Sequence, residues 1–363
     1  MKKICLVFGG DSLENEISIL TALKVKDELK KHSYSFEMVY LDHDGIFYTG
    51  EALLNKNNYY IKVKFKKGYF IRENNKNLFR FGLFRFEFDI VLLLSHGLHC
   101  EDGTLCGFFN TLKIPCICPS VEVSSLVQNK SNLKRLLSSI NIPVTKSITL
   151  KESEFDLKTF LADQKLSYPL ICKPNYLGSS IGVSKVNDKD ELITALKDVY
   201  KYDKTAIVEE CVDNLKEINI AITKRNNEIL LSECERVNDK NKILSFNDKY
   251  DNYSFNESHI IPADVPKKVI KQIKYYTKKA FLFLNMNGVL RFDYLYDEKS
   301  KIIYLNEINA IPGSLSYYLF EPLGIRFIDL IEILIEQYYL DFNNEKKKIL
   351  SYREDFISSL KEK

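Results

Sequence analysis

Arg291, Asp293, Glu307 and Asn309 are the residues whose types and spacing point most directly to chemistry. They lie in the stretch 288–319, GVLRFDYLYDEKSKIIYLNEINAIPGSLSYYL, which reads as two β-strands joined by a polar turn. Within each pair the side chains are two residues apart. A strand sends alternate side chains to opposite faces, so each pair shares a face. That face carries two carboxylates, an amide oxygen and a guanidinium. Such oxygen ligands suit Mg²⁺, which takes one or two carboxylates, keeps some waters and shares substrate phosphates. An arginine beside them suits a phosphoryl group or a developing oxyanion. Pro312-Gly313 then gives a tight turn whose backbone N–H can face the same centre.

Other candidate residues sit at strand ends. Lys173-Pro174 and the run Gly178-Ser179-Ser180-Ile181-Gly182 follow the apolar strand YPLIC. Glycines with small hydroxyl residues let backbone N–H groups approach phosphate oxygens, and Lys173 can reach an α- or β-phosphate. The spacing is not that of a Walker A loop, and alone the run is as well explained by a turn. Glu209 and Glu210 end another strand and Glu217 follows; such acids can take ribose hydroxyls or simply be solvated. Lys130, on a helical stretch, reads by itself as a solvated lysine. SHGLHCEDGT (95–104) follows FDIVLLL, and ligands of open α/β sheets bind beyond the carboxyl ends of strands. His96 is at such an end, whereas His99 reads as a surface residue. No further His or Cys has zinc-ligand spacing. Glu14 and Glu16 precede the first helix, where its dipole stabilises acids by roughly 0.3–1 kcal/mol. That explains one of them but not why the Gly9-Gly10 turn presents both. Lys249-Tyr250 lies in a polar, irregular stretch (239–266) and is uninformative alone.

The elements that position these residues divide the chain. Strand KICLVFG, the Gly-Gly turn and helix SILTALKVKDELKK open a parallel α/β sheet, continued by FEMVYLD, FDIVLLLSHG and KIPCICPS up to about residue 119. Residues 120–212 read as a small α+β unit: a single helical stretch over 121–141, strands YPLICKPNY and TAIVEECV, and helix DKDELITALKDVYKY. Residues 213–340 read as a second α+β unit, with an antiparallel pair EINIAITKRNNEILLSECERV, helix PKKVIKQIKYYTKKAFLFLN, the 288–319 hairpin and helix FIDLIEILIEQYY. A charged, helix-prone tail closes the chain at 341–363.

Composition sets the outer bounds. The 363 residues are 45% hydrophobic and 28% charged, ordinary for a soluble globular protein of two or three domains. A net charge of +3 carries no nucleic-acid footprint. The eight cysteines form no C-x-x-C pair, which favours reduced thiols and a cytoplasmic protein over a disulfide or zinc framework. MKKICLVFGG is too short for a signal-peptide core, and no window offers the roughly 18 apolar residues of a membrane span. G-x-G-x-x-G is absent, so a dinucleotide-binding dehydrogenase is disfavoured.

Taken in order, these motifs resemble those of the D-alanine–D-alanine ligases of the ATP-grasp superfamily, over about residues 4–335. VFGGDSLENEIS is similar to the family's G-G-x-S-x-E-x-E-[VI]-S, HGLHCEDGT to its H-G-x-x-G-E-D-G, KPNYLGSSIGVSKV to its K-P-x-x-x-G-S-S-x-G, and RFD…NEINAIPG to its R-x-D…E-x-N-x-x-P-G. The resemblance implies an ATP-grasp fold: an N-terminal Rossmann-like domain, a small central α+β domain and a C-terminal α+β domain. It implies that ATP phosphorylates one D-alanine and that the amine of a second attacks the acyl phosphate. Carried over by position, Glu14 would hold the first ammonium in a set with Ser179 and Tyr250, and His96 would lie beside that substrate. Lys130, Lys173, Ser180, Glu209, Glu210 and Glu217 would bind ATP. Asp293, Glu307 and Asn309 would hold two Mg²⁺ ions, or Mn²⁺. Arg291 and the Gly313 N–H would stabilise the oxyanion, and Lys249 would reach the γ-phosphate from a closing lid. The family state is a homodimer; the expected ligands are ATP and D-alanine, with neither nucleic acid nor membrane.

The chain departs from the family pattern at Cys100 (a glycine there), Asn129 (an Asp before the ATP lysine), Pro119 (a glycine) and LSFNDKY, which fits the lid pattern only at its end. Tyr318 stands where many members have a serine gripping the second substrate's carboxylate, for which Ser316 or a tyrosine hydroxyl would substitute. The alternatives are therefore a ligase with another acceptor (D-serine, D-lactate or another amino acid) and a non-catalytic nucleotide-binding module. The second is disfavoured because Arg291, Asp293, Glu307 and Asn309 are all present.

Overall fold

The computed structural model describes residues 2–59, 65–154, 166–212, 215–237 and 259–345. Three sheets follow one another along the chain. The first contains β1 (Ile4–Gly9), β2 (Phe36–Leu41), β3 (Phe47–Thr49), β4 (Lys66–Glu73), β5 (Lys76–Phe81), β6 (Phe84–Phe88), β7 (Ile90–Leu93) and β8 (Cys116–Ile117), in the order 6-5-4-3-2-1-7-8. Strand β1, ICLVFG, is buried along its whole length, as expected of a strand covered on both faces. It pairs in parallel with β2 and β7, and β7 with β8. Strands β3 to β6 extend this sheet as an antiparallel meander. The meander adds an antiparallel half to the parallel sheet read from the sequence, so the whole sheet is mixed. Strand β6 (FRFEF) alternates aromatic and charged side chains, and two-residue turns join β4 to β5 and β5 to β6 at the sheet edge.

The second sheet holds β9 (Ser147–Lys151), β10 (Leu170–Pro174), β11 (Ser184–Val186) and β12 (Thr205–Glu210). The third holds β13 (Leu215–Arg225), β14 (Glu228–Val237), β15 (His259–Ile260), β16 (Leu290–Asp297) and β17 (Ile303–Asn309), in the order 15-14-13-16-17, antiparallel throughout.

The helices are α1 (Asn15–Lys31), α2 (Thr104–Thr111), α3 (Val121–Gln128), α4 (Lys130–Ser139), α5 (Lys189–Val199), α6 (Lys267–Phe283) and α7 (Phe327–Glu345). Helix α1 buries Ile17, Ser18, Thr21, Ala22, Val25 and Leu29, the stripe that a 3.6-residue period turns inward. It stops where Ser33 turns left-handed and Tyr34 N–H bonds back to Leu29 O. The stretch 121–141, read from sequence as one helix, is broken at Asn129. That residue is extended (φ −87°, ψ 90°), and its side chain accepts the Asn132 N–H, so it caps α4 instead of continuing α3.

Three apolar cores result. Helices α3 and α4 pack with the third sheet, whereas α5 covers the second. The closing segment bridges two sheets: α7 packs on β13, with Gln337 accepting the Asn227 N–H, and it also reaches the first sheet. Leu315, Leu319, Phe320 and the apolar face of α7 (Phe327, Ile328, Leu330, Ile331, Leu334) join the core of the first sheet.

The Gly-Gly turn after β1 is tight for a reason visible in its neighbours. Gly10 has φ +121°, and a Cβ there would lie 2.1 Å from Cys100 Sγ. Gly10→Ala is expected to cost roughly 2–4 kcal/mol, from the left-handed backbone and the clash together. Adding Cys100→Gly should restore the clash part and leave the dihedral part. Urea midpoints of the single and double variants check this, and an Ala variant as stable as the parent would refute it.

Candidate active site

Four strands of the third sheet meet in one row of polar side chains. Glu235 faces Asn219, Asn219 faces Asp293, and Asp293 faces Glu307. In the adjoining row Arg291 stands opposite Asn309. Three of the row are essentially inaccessible: Glu235 at 0%, Asn219 at 3% and Asp293 at 3%. Unpaired, such groups would cost several kcal/mol each, so partners are required. Above this floor is a cavity of about 420 Å³, lined among others by Glu14, His96, Ser179, Glu217, Arg291, Glu307, Asn309, Gly313 and Tyr318.

At one end of the cavity, Ser179 Oγ donates to Glu14 Oε1. Gly178 lets the two loops meet, since a Cβ on it would sit 3.2 Å from the same oxygen. Burial and the nearby Glu101 push the Glu14 carboxyl up, against the pull of the Ser179 bond, His96 and Lys130. Glu16, by contrast, is exposed in the first turn of α1, where the helix dipole accounts for it. His96 Nδ1 is 3.5 Å from Glu101 Oε2, and its Nε2 is 3.2 Å from Thr21 Oγ1. Thr21 Oγ1 also accepts the Ser314 N–H at 3.1 Å, tying α1 to the turn after Gly313. That turn is left-handed over three residues, with φ 50°, 55° and 49° at Ser314, Leu315 and Ser316. His99 is exposed, as read.

In the centre, Arg291 clasps Asp293 with two bonds, Nε to Oδ1 at 2.7 Å and a terminal nitrogen to Oδ2 at 2.8 Å. Asn309 Nδ2 donates to the same Oδ2 at 2.9 Å. Lys130 Nζ lies 3.7 Å from Glu307 Oε2 and donates to Leu177 O at 2.7 Å. Among the described residues no cluster of three or more His, Cys, Asp and Glu side chains has metal-ligand geometry. The donor set is two carboxylates and one amide, already matched by cationic side chains. That fits Mg²⁺, whose remaining positions go to water and phosphate oxygens.

Beside this centre, Lys173 Nζ pairs with Glu209 and bonds Asn306 Oδ1 at 3.1 Å. Glu209 also meets Lys134 Nζ, and Thr145 Oγ1 donates to it at 2.6 Å. Burial pushes the Glu209 carboxyl up, but Lys134 and Lys173 outweigh it and hold the group well below the usual carboxylate range. Glu210 is half-buried, 3.8 Å from Lys146 Nζ. Ser180 follows Ser179 in the same left-handed turn.

At the far end of the cavity, Tyr318 Oη donates to Glu235 Oε1 at 3.0 Å. Asn219 Nδ2 donates to that oxygen at 3.0 Å, and His259 Nδ1 lies 2.7 Å from Glu235 Oε2. Burial pushes the Glu235 carboxyl up, yet His259 and Arg291 together hold it below the usual range. Burial and Glu235 push the Tyr318 phenol well up. Ser316 is fully buried away from the cavity lining, and its hydroxyl has no hydrogen-bond partner among the described residues. Lys249, Tyr250 and the tail beyond residue 345 lie outside the described residues.

The structure thus gathers Glu14, Ser179, His96, Glu217, Arg291, Glu307, Asn309, Gly313 and Tyr318 around one cavity. Lys130, Lys173, Glu209 and Asp293 stand immediately behind the lining; Ser316 and Glu210 face elsewhere. Sequence reasoning passed over Lys134, Asn219, Glu235, Glu101 and His259. Lys134 is four residues after Lys130, hence on the same helix face. Asn219, two residues after Glu217 in an apolar strand, repeats the spacing that marked Arg291 and Asp293. Nothing in the sequence flagged His259.

Family models agree with this architecture. Residues 3–119 match the D-ala D-ala ligase N-terminus and residues 136–336 the D-ala D-ala ligase C-terminus. The chain belongs to the D-alanine–D-alanine ligase family. The D-alanine–D-alanine ligase of Thermosipho melanesiensis is 35% identical, covering 95% of this chain and 96% of that protein. Among solved structures, the D-alanine–D-alanine ligase of Helicobacter pylori is 29% identical, with a TM-score of 0.75 over 92% of this chain and 98% of that one. The D-Ala:D-Ser ligase VanG of Enterococcus faecalis is 27% identical, with a TM-score of 0.77 over 93% and 99%. Within this D-alanine–D-alanine ligase family member, no helix among the described residues is long and apolar enough to cross a membrane.

The Lys134–Glu209–Lys173 cluster should be visible in stability. A carboxyl held low in the folded state contributes stability above its unfolded pKa and loses it as pH falls. Lys134→Met is therefore expected to cost roughly 2 kcal/mol or more at neutral pH, with the gap to the parent narrowing below about pH 4. Thermal unfolding at several pH values measures this; a gap independent of pH would count against the pairing.

Proposed function

We propose that this chain is an ATP-dependent ligase that joins two D-alanines through an acyl phosphate, giving D-alanyl-D-alanine, ADP and phosphate for peptidoglycan synthesis. The observation that carries the reading is the convergence of the Glu14–Ser179 pair with Arg291, Glu307, Asn309 and Gly313 on one cavity, from segments nearly 300 residues apart. Full-length relatives named D-alanine–D-alanine ligase support it.

In this reading Glu14, steadied by Ser179, takes the ammonium of the first D-alanine, with His96 alongside. The carboxylate of that substrate attacks the γ-phosphorus of ATP and ADP leaves. Lys130 and Lys173 neutralise phosphate oxygens, while Glu209, Glu210, Ser180 and Glu217 belong to the nucleotide side. Asp293, Glu307 and Asn309 would hold two Mg²⁺ ions, which supply charge neutralisation at the transferring phosphoryl group. The free amine of the second substrate then attacks the acyl carbon, the C–O bond to phosphate breaks, and Arg291 with the Gly313 N–H receives the transient oxyanion. A water-excluding cover protects the acyl phosphate, a role the family likeness gives to Lys249 and Tyr250. The eight cysteines are free thiols, which supports a cytoplasmic setting. A homodimer is the expected assembly, to be read from sedimentation.

ATP-dependent phosphate release is expected with D-alanine alone, together with a product of dipeptide mass. A panel including L-alanine, D-serine and D-lactate tests this; no release with D-alanine would overturn the reading. Glu307→Gln is expected to lower turnover at least ~100-fold while leaving thermal stability near that of the parent, because it removes a metal charge and not a packing contact. Unchanged phosphate release in that variant would refute the metal assignment.

A further inference from the structure

The first helix and the closing turn meet at one hydroxyl, Thr21 Oγ1, which has no role in the reaction as proposed above. Glu14 caps α1, and Ser18 and Thr21 follow four and seven residues later on the same helix face. That face makes three contacts in succession. Glu14 meets Ser179, Ser18 Oγ accepts the His96 N–H at 2.8 Å, and Thr21 Oγ1 lies 3.2 Å from His96 Nε2. A hydroxyl has one hydrogen and two lone pairs, so buried Thr21 has capacity for a further partner. That partner is the Ser314 N–H, at 3.1 Å.

The turn it reaches is costly to hold. Ser314, Leu315 and Ser316 are all left-handed, which side chains disfavour, so the surroundings must impose that shape. Leu315 helps by burial in the first core, and its N–H bonds Pro312 O at 2.8 Å. Among the described residues, the Thr21 bond is the single side-chain hydrogen bond to residues 313–316. The Ser316 hydroxyl, buried in the same turn, contributes none. The anchored N–H is one peptide plane beyond Gly313, whose own N–H the ligase reading aims at the oxyanion. Misplacing such a group by about 1 Å costs on the order of 100-fold in rate. The loss falls on acyl transfer, where the oxyanion develops, and not on the phosphoryl step before it.

Nothing local to α1 explains a threonine here. Threonine is a weaker helix former than alanine, and among the described residues its hydroxyl makes no bond to the preceding turn of the helix. Both of its partners lie across the cavity mouth, one beside the first substrate and one in the oxyanion turn. We infer that Thr21 is a positioning residue for the second half-reaction: its hydroxyl holds the Ser314 N–H against His96 and so sets where the Gly313 N–H points relative to the acyl carbon. The inference rests on the ligase reading and adds to it a residue that acts through the turn.

Thr21→Val keeps the outline of the side chain and removes the hydroxyl. Dipeptide formation is expected to fall at least ~10-fold, while ADP formed in the first turnover, read by rapid quench, stays within about threefold of the parent. Product balance supplies a readout that a merely structural role would not move. The parent should release one phosphate for each dipeptide. In the variant the acyl phosphate waits longer, water attacks its acyl carbon, the C–O bond to phosphate breaks, and D-alanine is regenerated. Phosphate released should then exceed dipeptide made. Thr21→Ala also lacks the hydroxyl and favours the helix, so it should show the same imbalance and guards against a folding defect in the valine variant. Thr21→Ser keeps the hydroxyl and should restore the parent's balance. Equal slowing of ADP and dipeptide formation in the Val and Ala variants overturns the inference, as does turnover in them like that of the parent, or a serine variant as unbalanced as the valine one. Failure of the parent itself to make dipeptide overturns the ligase reading instead.

Discussion

Crowded carboxylates are the constraint on which this molecule is built. Glu14, Glu101, Glu217, Glu235 and Glu307 line one cavity, with Asp293 directly beneath it and Glu209 just behind. Carboxylates drawn together out of water repel one another, and each loses hydration that only a cation or several donors can replace. The fold answers with Arg291 on Asp293, His259 on Glu235, His96 on Glu101, and Lys134 and Lys173 on Glu209. The partners of Glu235 and Glu209 come from other strands or helices, whereas Arg291 and His96 are local to the acids they meet. Ser179 on Glu14, Lys130 on Glu307 and Lys173 on Asn306 then tie the three sheets together at the same place.

That coupling gives the cavity its directional character. The negative floor is strongest between Asp293 and Glu307, where a metal and the transferring phosphoryl group would share it. Toward Glu14 the carboxylate, held by the Ser179 hydroxyl, is the acceptor that an ammonium would need. Toward Glu235 it is wrapped by Asn219, His259 and Tyr318, so the carboxylate becomes scaffold and its neighbours become the surface. One chemical group thus serves as ligand, electrostatic partner or support according to what surrounds it.

Much of this was legible in the sequence, and the reason is periodicity. Polar side chains two apart in an apolar strand are hard to explain except by a functional face, so Arg291, Asp293, Glu307 and Asn309 announced the floor. Gly9-Gly10 after ICLVFG announced the loop that carries Glu14. The four-motif likeness then fixed the family and the ATP-grasp fold. What stayed hidden depended on tertiary partners. Asn129 looks like any helical residue until its capping bond divides 121–141. Strands β3 to β6 follow no long period, and their aromatic side chains suit a sheet edge as well as a loop. Lys134 acquires meaning only when β12 presents Glu209 to it, and His259 only when β14 lies beside it. Tyr318 was singled out as a departure, but its hydroxyl's direction follows from Glu235, 83 residues away.

The closing helix has a consequence for how such a chain comes into being. Because Leu315, Phe320 and the apolar residues between Phe327 and Ile335 join the core of the first sheet, the first sheet to leave the ribosome is the last to be sealed. Synthesis from the N-terminus exposes an apolar surface that waits for more than 200 intervening residues to be made. The earliest strands therefore need shelter during translation, and a truncation that trims the C-terminal helix should injure the N-terminal half first.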